Sequence, residues 1–471
     1  MLKKIADILP RTTASYYFHR LCMHDKSYFG YFQKRVSLDQ RISSSILRSS
    51  NNIHTSCSAF VKHFVENENK YAYSALRKIE VYRKTLSNPN FPEESIISDE
   101  EFNYLCSANW SEELAVNIYH VFKKLSSYSS KNPQTISDVK FNGIVKALAS
   151  KCPDLNDEDL IGILACLRKW SPTSSATSEN FVDLWKAVDE QCIARVKNWD
   201  RNKLLFVADH WYLLNLTSFS NLMWRCLTRL TRKPENITPQ QLVQCMFYIN
   251  ARRKIPDVVS LYDIEYSLEK CYDQLSIDEI SIFAMGFFKS ETSIKSQNLV
   301  LGIMREVMDK AEVISDIALT ALLKVIRYSL APTNVDPLLA LLDKLSSQID
   351  RLSLLSCVHV ALTGTTILVL HEEVLNKVVD RVYKEIDSCR LKDLERIAFA
   401  LSLYNYKHEK TPNIYDLLVE QLSKSERLDE IKAHPKCVSC CLNYLSQNGI
   451  YLQQEISKVL DKQFLLTVYG E

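Results

Sequence analysis

Glycine and proline are scarce in this chain, with 8 and 13 in 471 residues. Left-handed turns and helix breakers are therefore few, and stretches that alternate apolar and polar residues, the mark of a half-buried strand, are hard to find. These absences exclude a β-rich fold. The glycines also never cluster, standing singly at positions 30, 143, 162, 286, 302, 364, 449 and 470. A loop that closes backbone amides around a phosphate needs several glycines close together. No Gly-Lys-Ser/Thr loop, no His-Arg-Asp or Asp-Phe-Gly element and no Gly-x-Ser-x-Gly turn occurs. Phosphoryl transfer and serine-nucleophile chemistry are not expected, and no cofactor is implied.

The 14 cysteines lack a pairing pattern. Several fall on apolar helical positions, where a thiol behaves as a small hydrophobe, and this usage points to a reducing compartment. Cys437-x-x-Cys440, with Cys441 adjacent and His434 nearby, lacks the second ligand pair that a structural zinc site requires. Core packing is the stronger reading, so no metal is expected. The acids Asp154, Asp157, Glu158 and Asp159 sit where a helix begins, and solvated helix starts explain them better than a magnesium site does.

What the chain does have is a repeated apolar helical face with spacing i, i+3, i+4, i+7. It runs Ala115-Ile118-Tyr119-Phe122, Leu160-Ile163-Leu164-Leu167, Leu204-Val207-Ala208-Trp211, Leu242-Cys245-Met246-Ile249 and Ile280-Phe283-Ala284-Phe287. It continues as Ala318-Ala321-Leu322-Val325, Leu354-Cys357-Val358-Ala361, Leu394-Ile397-Ala398-Leu401 and Val438-Cys441-Leu442-Leu445. Successive first members are 45, 44, 38, 38, 38, 36, 40 and 44 residues apart. A period of about 36–45 residues fits a helix pair that cannot bury its own apolar face and must stack on its neighbours. The expected fold is an all-α solenoid of stacked helix pairs. Entry signals support it: Asn156-Asp-Glu-Asp159, Thr238-Pro239 and Ser276-Ile-Asp-Glu279 each precede a repeat face and supply capping oxygens or early acids.

The net charge is only +2, but its distribution is uneven. Residues 1–50 hold nine Lys/Arg against Asp7, Asp25 and Asp39, with Ser, Thr and Tyr between them. That composition resembles a mitochondrial presequence, so residues 1–45 are read as a targeting segment, with a plain basic arm as the alternative. The expected localisation is the mitochondrial matrix. Leu352–Leu370 carries no Asp, Glu, Lys or Arg, which is long enough to test as a membrane span. It holds a repeat face in register, and a buried repeat helix with a turn near Gly364 accounts for it better.

Four segments follow: 1–45 as targeting segment or arm, 46–100 as an N-terminal helical segment and linker, 101–335 as a helical repeat region, and 336–471 as a further helical region. In the second, Phe60, Phe64, Tyr71 and Leu76 are available for packing, and Ser87-Asn-Pro-Asn-Phe-Pro92 breaks the helix. Ser-rich spacers are expected at Ser126–Ser130 and Ser171–Ser178. Asp209-His-Trp-Tyr212, Pro239-Gln-Gln-Leu-Val-Gln244, Gly286-Phe-Phe-Lys-Ser290 and Leu391-Lys-Asp-Leu-Glu-Arg-Ile397 resemble the leucine-rich helical region of the FAST kinase domain-containing family. The resemblance runs from about Glu112 onward. It implies a mitochondrial RNA-binding protein acting in transcript processing or stability, with 336–471 as the first conserved region of the family. The nuclease-like C-terminal RAP domain that the resemblance also implies is not visible before Glu471, so no catalytic role is expected.

Between Arg201 and Lys254 stand nine Lys/Arg and only two acids, Asp209 and Glu235. Arg225, Arg229 and Arg232 share a helical face, Lys233 follows, and Arg252-Arg253-Lys254 ends the next repeat helix. Aligned, these seven cations would form a strip suited to the phosphates of single-stranded RNA. Tyr212, Trp224 and Tyr248 could stack on bases, while Trp211 holds a core position. Protein partners in mitochondrial ribonucleoprotein assemblies are also expected. The alternatives are a solvated basic face on a protein-interaction scaffold that binds no nucleic acid, or an RNA-processing nuclease whose catalytic domain lies outside this sequence.

Overall fold

The computed structural model describes residues 57–88, 97–132, 134–170, 179–253, 255, 258–407 and 409–469, with side chains from Asn67 onward. The targeting segment, the Phe60 and Phe64 side chains, the Pro89–Pro92 part of the linker, the serine tract 171–178 and Lys254 lie outside what is described. Among the described residues there are 22 α-helices and no β-strand.

The first is α1 (Cys57–Lys78), continued by a 3-10 turn at Glu80–Lys84, and α2 (Asp99–Ser107) leads into the repeats. The repeats are helix pairs: α3/α4 (Ala115–Lys131, Asn142–Ser150), α5/α6 (Asp157–Leu167, Glu179–Arg195) and α7/α8 (Arg201–Leu213, Asn221–Thr231) come first. Then follow α9/α10 (Pro239–Arg252, Leu261–Cys271), α11/α12 (Ile277–Lys289, Gln297–Asp309), α13/α14 (Asp316–Ser329, Val335–Ser346) and α15 (Leu354–Leu362). The compact unit Glu68–Ile367 ends there. The other unit contains α16 (Glu372–Lys384), α17/α18 (Leu391–Leu403, Ile414–Ser423), α19 (Leu428–Ala433), α20 (Pro435–Gln447), α21 (Gln453–Val459) and α22 (Lys462–Tyr469). The chain is an all-α helical-repeat protein.

Each of the nine repeat faces lies on a helix: α3, α5, α7, α9, α11, α13, α15, α17 and α20. All their residues are buried except Leu354, which is half-buried. In the Glu68–Ile367 unit, α3, α5, α7, α9, α11, α13 and α15 touch in succession and form one layer. Their partners form a second layer, in which α4 meets α6, α6 meets α8, and α12 meets α14. In the other unit α17 packs on α20 and α16 on α18.

Local chemistry fixes where the first-layer helices begin. The side chains of Asn156, Asp200, Thr238, Ser276, Ser315 and Ser353 each accept the backbone N–H three residues on, and Thr238 and Ser276 complete capping boxes. Such a cap is worth about 1 kcal/mol. The close approach of α9 and α11 depends on Gly286, because a Cβ there would stand 3.0 Å from the Met246 carbonyl oxygen.

One expectation changes, and one holds. Ser126–Ser130 is no spacer, because α3 runs through it to Lys131. The hydroxyls of Ser126 and Ser127 bond back to the Lys123 carbonyl at 2.8 and 3.0 Å, which satisfies serine inside a helix, and the small Ser126 and Ser129 are fully buried. The charge-free stretch Leu352–Leu370 is α15 followed by a 3-10 turn at Thr365–Ile367. Among the described residues no helix is long and apolar enough to cross a membrane.

Candidate nucleic-acid interface

The expected strip is split between exposed and structural cations. On α8, Arg225 and Arg229 are exposed, and Arg232 at its C-cap and Lys233 just beyond it are exposed as well. Leu222, Met223, Cys226, Leu227 and Leu230 turn inward from the opposite side of the same helix. Arg229 also donates to the Val196 carbonyl. At the end of α9, Arg253 is exposed and takes the left-handed backbone that closes the helix (φ 60°). Arg252 is different. Its guanidinium is half-buried, donates to the Thr217 and Ser220 carbonyls at 3.1 and 3.2 Å, and lies 4.8 Å from the centroid of the Trp224 ring. That cation holds the α7–α8 connection, so it is a poor candidate for a phosphate contact.

The aromatic expectations divide in the same way. Tyr248 is fully buried, with its hydroxyl among Gln244, Leu205 and Asp209, and cannot stack on a base. Trp211 is buried in the repeat face, whereas Tyr212 and Trp224 remain half-buried.

The reason Tyr248 is covered was not visible from repeat spacing. The first-layer helices α7, α9, α11 and α13 are met by the chain's own segment Glu68–Ser87. Its hydroxyls reach the repeats: Tyr71 donates to Asp278 at 2.5 Å, Tyr73 to Asp209 at 3.1 Å and Tyr82 to Glu279 at 2.6 Å. Gln244 exchanges bonds with the Thr85 hydroxyl and carbonyl at 2.7 and 3.1 Å. The Ser87 amide donates to Asp209 at 2.8 Å, and Arg168 donates to the Ser87 hydroxyl at 3.0 Å. Glu68 sits between Lys289 and Lys324 at 3.0 and 3.1 Å. Burial pushes the Glu68 carboxyl up, but the two lysines outweigh it and hold it below its usual value. Asp209 has the opposite balance, since burial raises its carboxyl more than the Ser87 amide lowers it.

Elsewhere, Asp157 serves as a bridge: it accepts from Arg195 at 3.3 Å, Lys203 at 2.7 Å and the Trp199 indole at 2.5 Å, tying α5 to α6 and α7. Cys437 and Cys441 are buried on α20, where burial pushes both thiols up. No cluster of three His, Cys, Asp or Glu able to hold a metal occurs among the described residues.

No protein-family model matches the chain. It is 24% identical over 365 residues to mouse FAST kinase domain-containing protein 5, mitochondrial, an alignment covering 74% of this chain and 44% of that protein. Against the human protein of the same name it is 24% identical over 336 residues, covering 68% of this chain and 40% of the relative. The resemblance to the FAST kinase domain-containing family holds. The chain spans less than half the length of these relatives. The stretches that carried the resemblance to that family now have structural roles. Asp209, Gln244 and Lys289, one from each of three of them, all hold the Glu68–Ser87 segment. In the fourth, Asp393 is clasped by Arg390 at 2.6 Å and Arg396 at 3.1 Å.

Proposed function

We propose that this chain binds single-stranded RNA in the mitochondrial matrix and acts in mitochondrial RNA processing or stability without itself catalysing a reaction. The observation that carries the reading is the exposed cation group Arg225, Arg229, Arg232, Lys233 and Arg253, on α8 and at the C-terminal ends of the contacting helices α8 and α9. Arginine and lysine held on rigid helices suit a phosphate backbone, and such contacts position a strand without reading its sequence. The name of the relatives, which includes mitochondrial, and the basic residues 1–50 support the compartment. RNA-processing chemistry would be supplied by partner proteins of a ribonucleoprotein assembly.

The test is ultraviolet crosslinking in isolated mitochondria, read in the matrix fraction, combined with affinity measured against salt for the purified chain. Replacing Arg225, Arg229, Arg232 and Arg253 with Gln, while leaving Arg252 in place, is expected to abolish most of the crosslink. Each lost phosphate contact is expected to flatten the slope of log affinity against log salt by about 0.7 for a single strand. Unchanged crosslinking and slope, with an intact helical spectrum, would favour a scaffold that binds protein alone.

A further inference from the structure

We propose that the pocket between α1 and the C-terminal end of α7 is a separate binding site for a nucleoside phosphate. The pocket has a volume of about 470 Å³ and is lined by Lys70, Tyr73, Ser74, Arg77 and Lys78 of α1 with Tyr212, Leu213 and Asn215. Three cations line it and no carboxylate does. Lys70, Ser74 and Lys78 are exposed and stand four residues apart, so they share one face of α1. Lys70 and Lys78 have no ion-pair partner among the described residues. Arg77 is half-buried and fixed from behind, donating to the Ser87 carbonyl at 3.2 Å with its guanidinium 5.7 Å from the Tyr73 ring centroid. Asp209, which accepts from the Tyr73 hydroxyl, is buried and engaged by the Ser87 amide. Three like charges around one pocket repel one another, and a phosphate dianion relieves that repulsion.

The remaining lining residues select for a base attached to that phosphate. The rings of Tyr73 and Tyr212 lie with centroids 5.1 Å apart at 41°. The Tyr73 hydroxyl is tied to Asp209, and the Tyr212 ring packs edge-on against Phe247 with centroids 4.7 Å apart, so the rings are held before a ligand arrives. Aromatic surface set in advance costs little ordering on binding and stacks on any base. Asn215 is exposed at the mouth in a left-handed turn (φ 58°) and offers both a donor and an acceptor to a base edge. Cations, pre-set rings and an amide in one pocket match a nucleotide better than they match inorganic phosphate. The ligand's source is either a free nucleoside monophosphate or the phosphorylated end of an RNA.

Calorimetric titration of the full chain tests the site with adenosine monophosphate, adenosine, inorganic phosphate, and short single-stranded RNAs with and without a 5′-phosphate. The monophosphate is expected to bind saturably and more tightly than either adenosine or phosphate. The K70Q/K78Q double variant changes two exposed side chains without ion-pair partners, so it should keep its helical spectrum while affinity falls by at least about tenfold, the scale of one charge-assisted contact. The Arg225, Arg229, Arg232 and Arg253 variant should leave this binding unchanged, which separates failure of the pocket from failure of the RNA strip. Competition by the 5′-phosphorylated RNA alone assigns an RNA end, and no competition by either RNA assigns the free nucleotide. Absence of saturable binding at millimolar monophosphate, or equal affinity in wild type and K70Q/K78Q, would overturn the proposal.

Discussion

Helices α9 and α20 carry the same apolar repeat face, yet they live in different surroundings. Every residue from Leu242 to Asn250 in α9 is buried, whereas in α20 only Cys437, Val438, Cys441, Leu442 and Leu445 are. The residue five beyond the first member of each face reports the difference. At that register His120 of α3 is exposed and Ala165 of α5 half-buried, and then Asp209, Phe247, Met285, Leu323, His359 and Phe399 are all buried before Asn443 of α20 is half-buried again. A single repeat face is enough to build the array, but it leaves the other side of each helix undecided. In α7, α9, α11 and α13 that other side is closed by Glu68–Ser87. Their polar groups are therefore structural, and candidate surfaces must be sought on α8, on chain ends and at the edges of α1.

The largest effect should come from removing the charge that anchors the covering segment. Glu68→Ala leaves Lys324, whose side chain is 6% exposed, without its carboxylate. Breaking one partner of a buried pair costs about 3–5 kcal/mol. Because repeats exchange stability mainly with neighbours, hydrogen-exchange protection should fall in α9, α11 and α13 and persist in α17 and α20. Equal loss in both regions would mean that the covering segment is not what distinguishes them.

A pair of amides sharpens the comparison at smaller cost. Gln244 of α9 is fully buried and serves both Thr85 and the Tyr248 hydroxyl, at 2.9 Å for the latter. Gln244→Ala is expected to destabilise by about 1–3 kcal/mol, the cost of leaving buried partners unsatisfied. Asn443→Ala, at a half-exposed position of α20, should stay within about 0.5 kcal/mol. Chemical denaturation of the two variants measures both, and a similar cost for each would contradict the assignment of α9 as doubly covered.

Much of this architecture was legible along the chain. The spacing of the nine faces located the packing helices, and Asn156, Thr238 and Ser276 marked where three of them begin, because both signals are local. The covering segment was not legible from spacing, since Tyr71, Tyr73 and Tyr82 meet acids more than a hundred residues away. A signal was nevertheless present. Leu242–Ile249 and Ile280–Phe287 are apolar nearly all round, and a helix of that kind needs cover on both sides. The same blind spot affected Tyr248 and Arg252, whose helical positions were right but whose neighbours only the fold supplies. Ser126–Ser130 was misread because serine run together looks like loop, while buried serine with back-bonded hydroxyls packs inside α3.

The smallest effect is a pH dependence confined to the covered region. His210 of α7 is buried, and neither ring nitrogen has a hydrogen-bond partner among the described residues. Burial, helped by the nearby Arg168 charge, lowers its folded-state pKa from 6.5 to about 3. The fold thus accommodates the neutral imidazole, while the unfolded chain takes up a proton near pH 6.5. The stabilisation is full above that pH and is lost progressively as pH falls toward 3, with a limiting slope of about 1.4 kcal/mol per pH unit. Asp209 works in the opposite sense, because its raised carboxyl favours the folded state more as pH falls. Comparing wild type with His210→Phe therefore isolates the histidine, and Phe keeps a ring against Phe206, now 5.0 Å away. Between pH 7 and 5.5 the variant should lose acid sensitivity in α7 and α9, read by hydrogen exchange, with α20 unchanged. An identical pH profile in wild type and variant would show that the imidazole is solvated and that the cover over α7 is open.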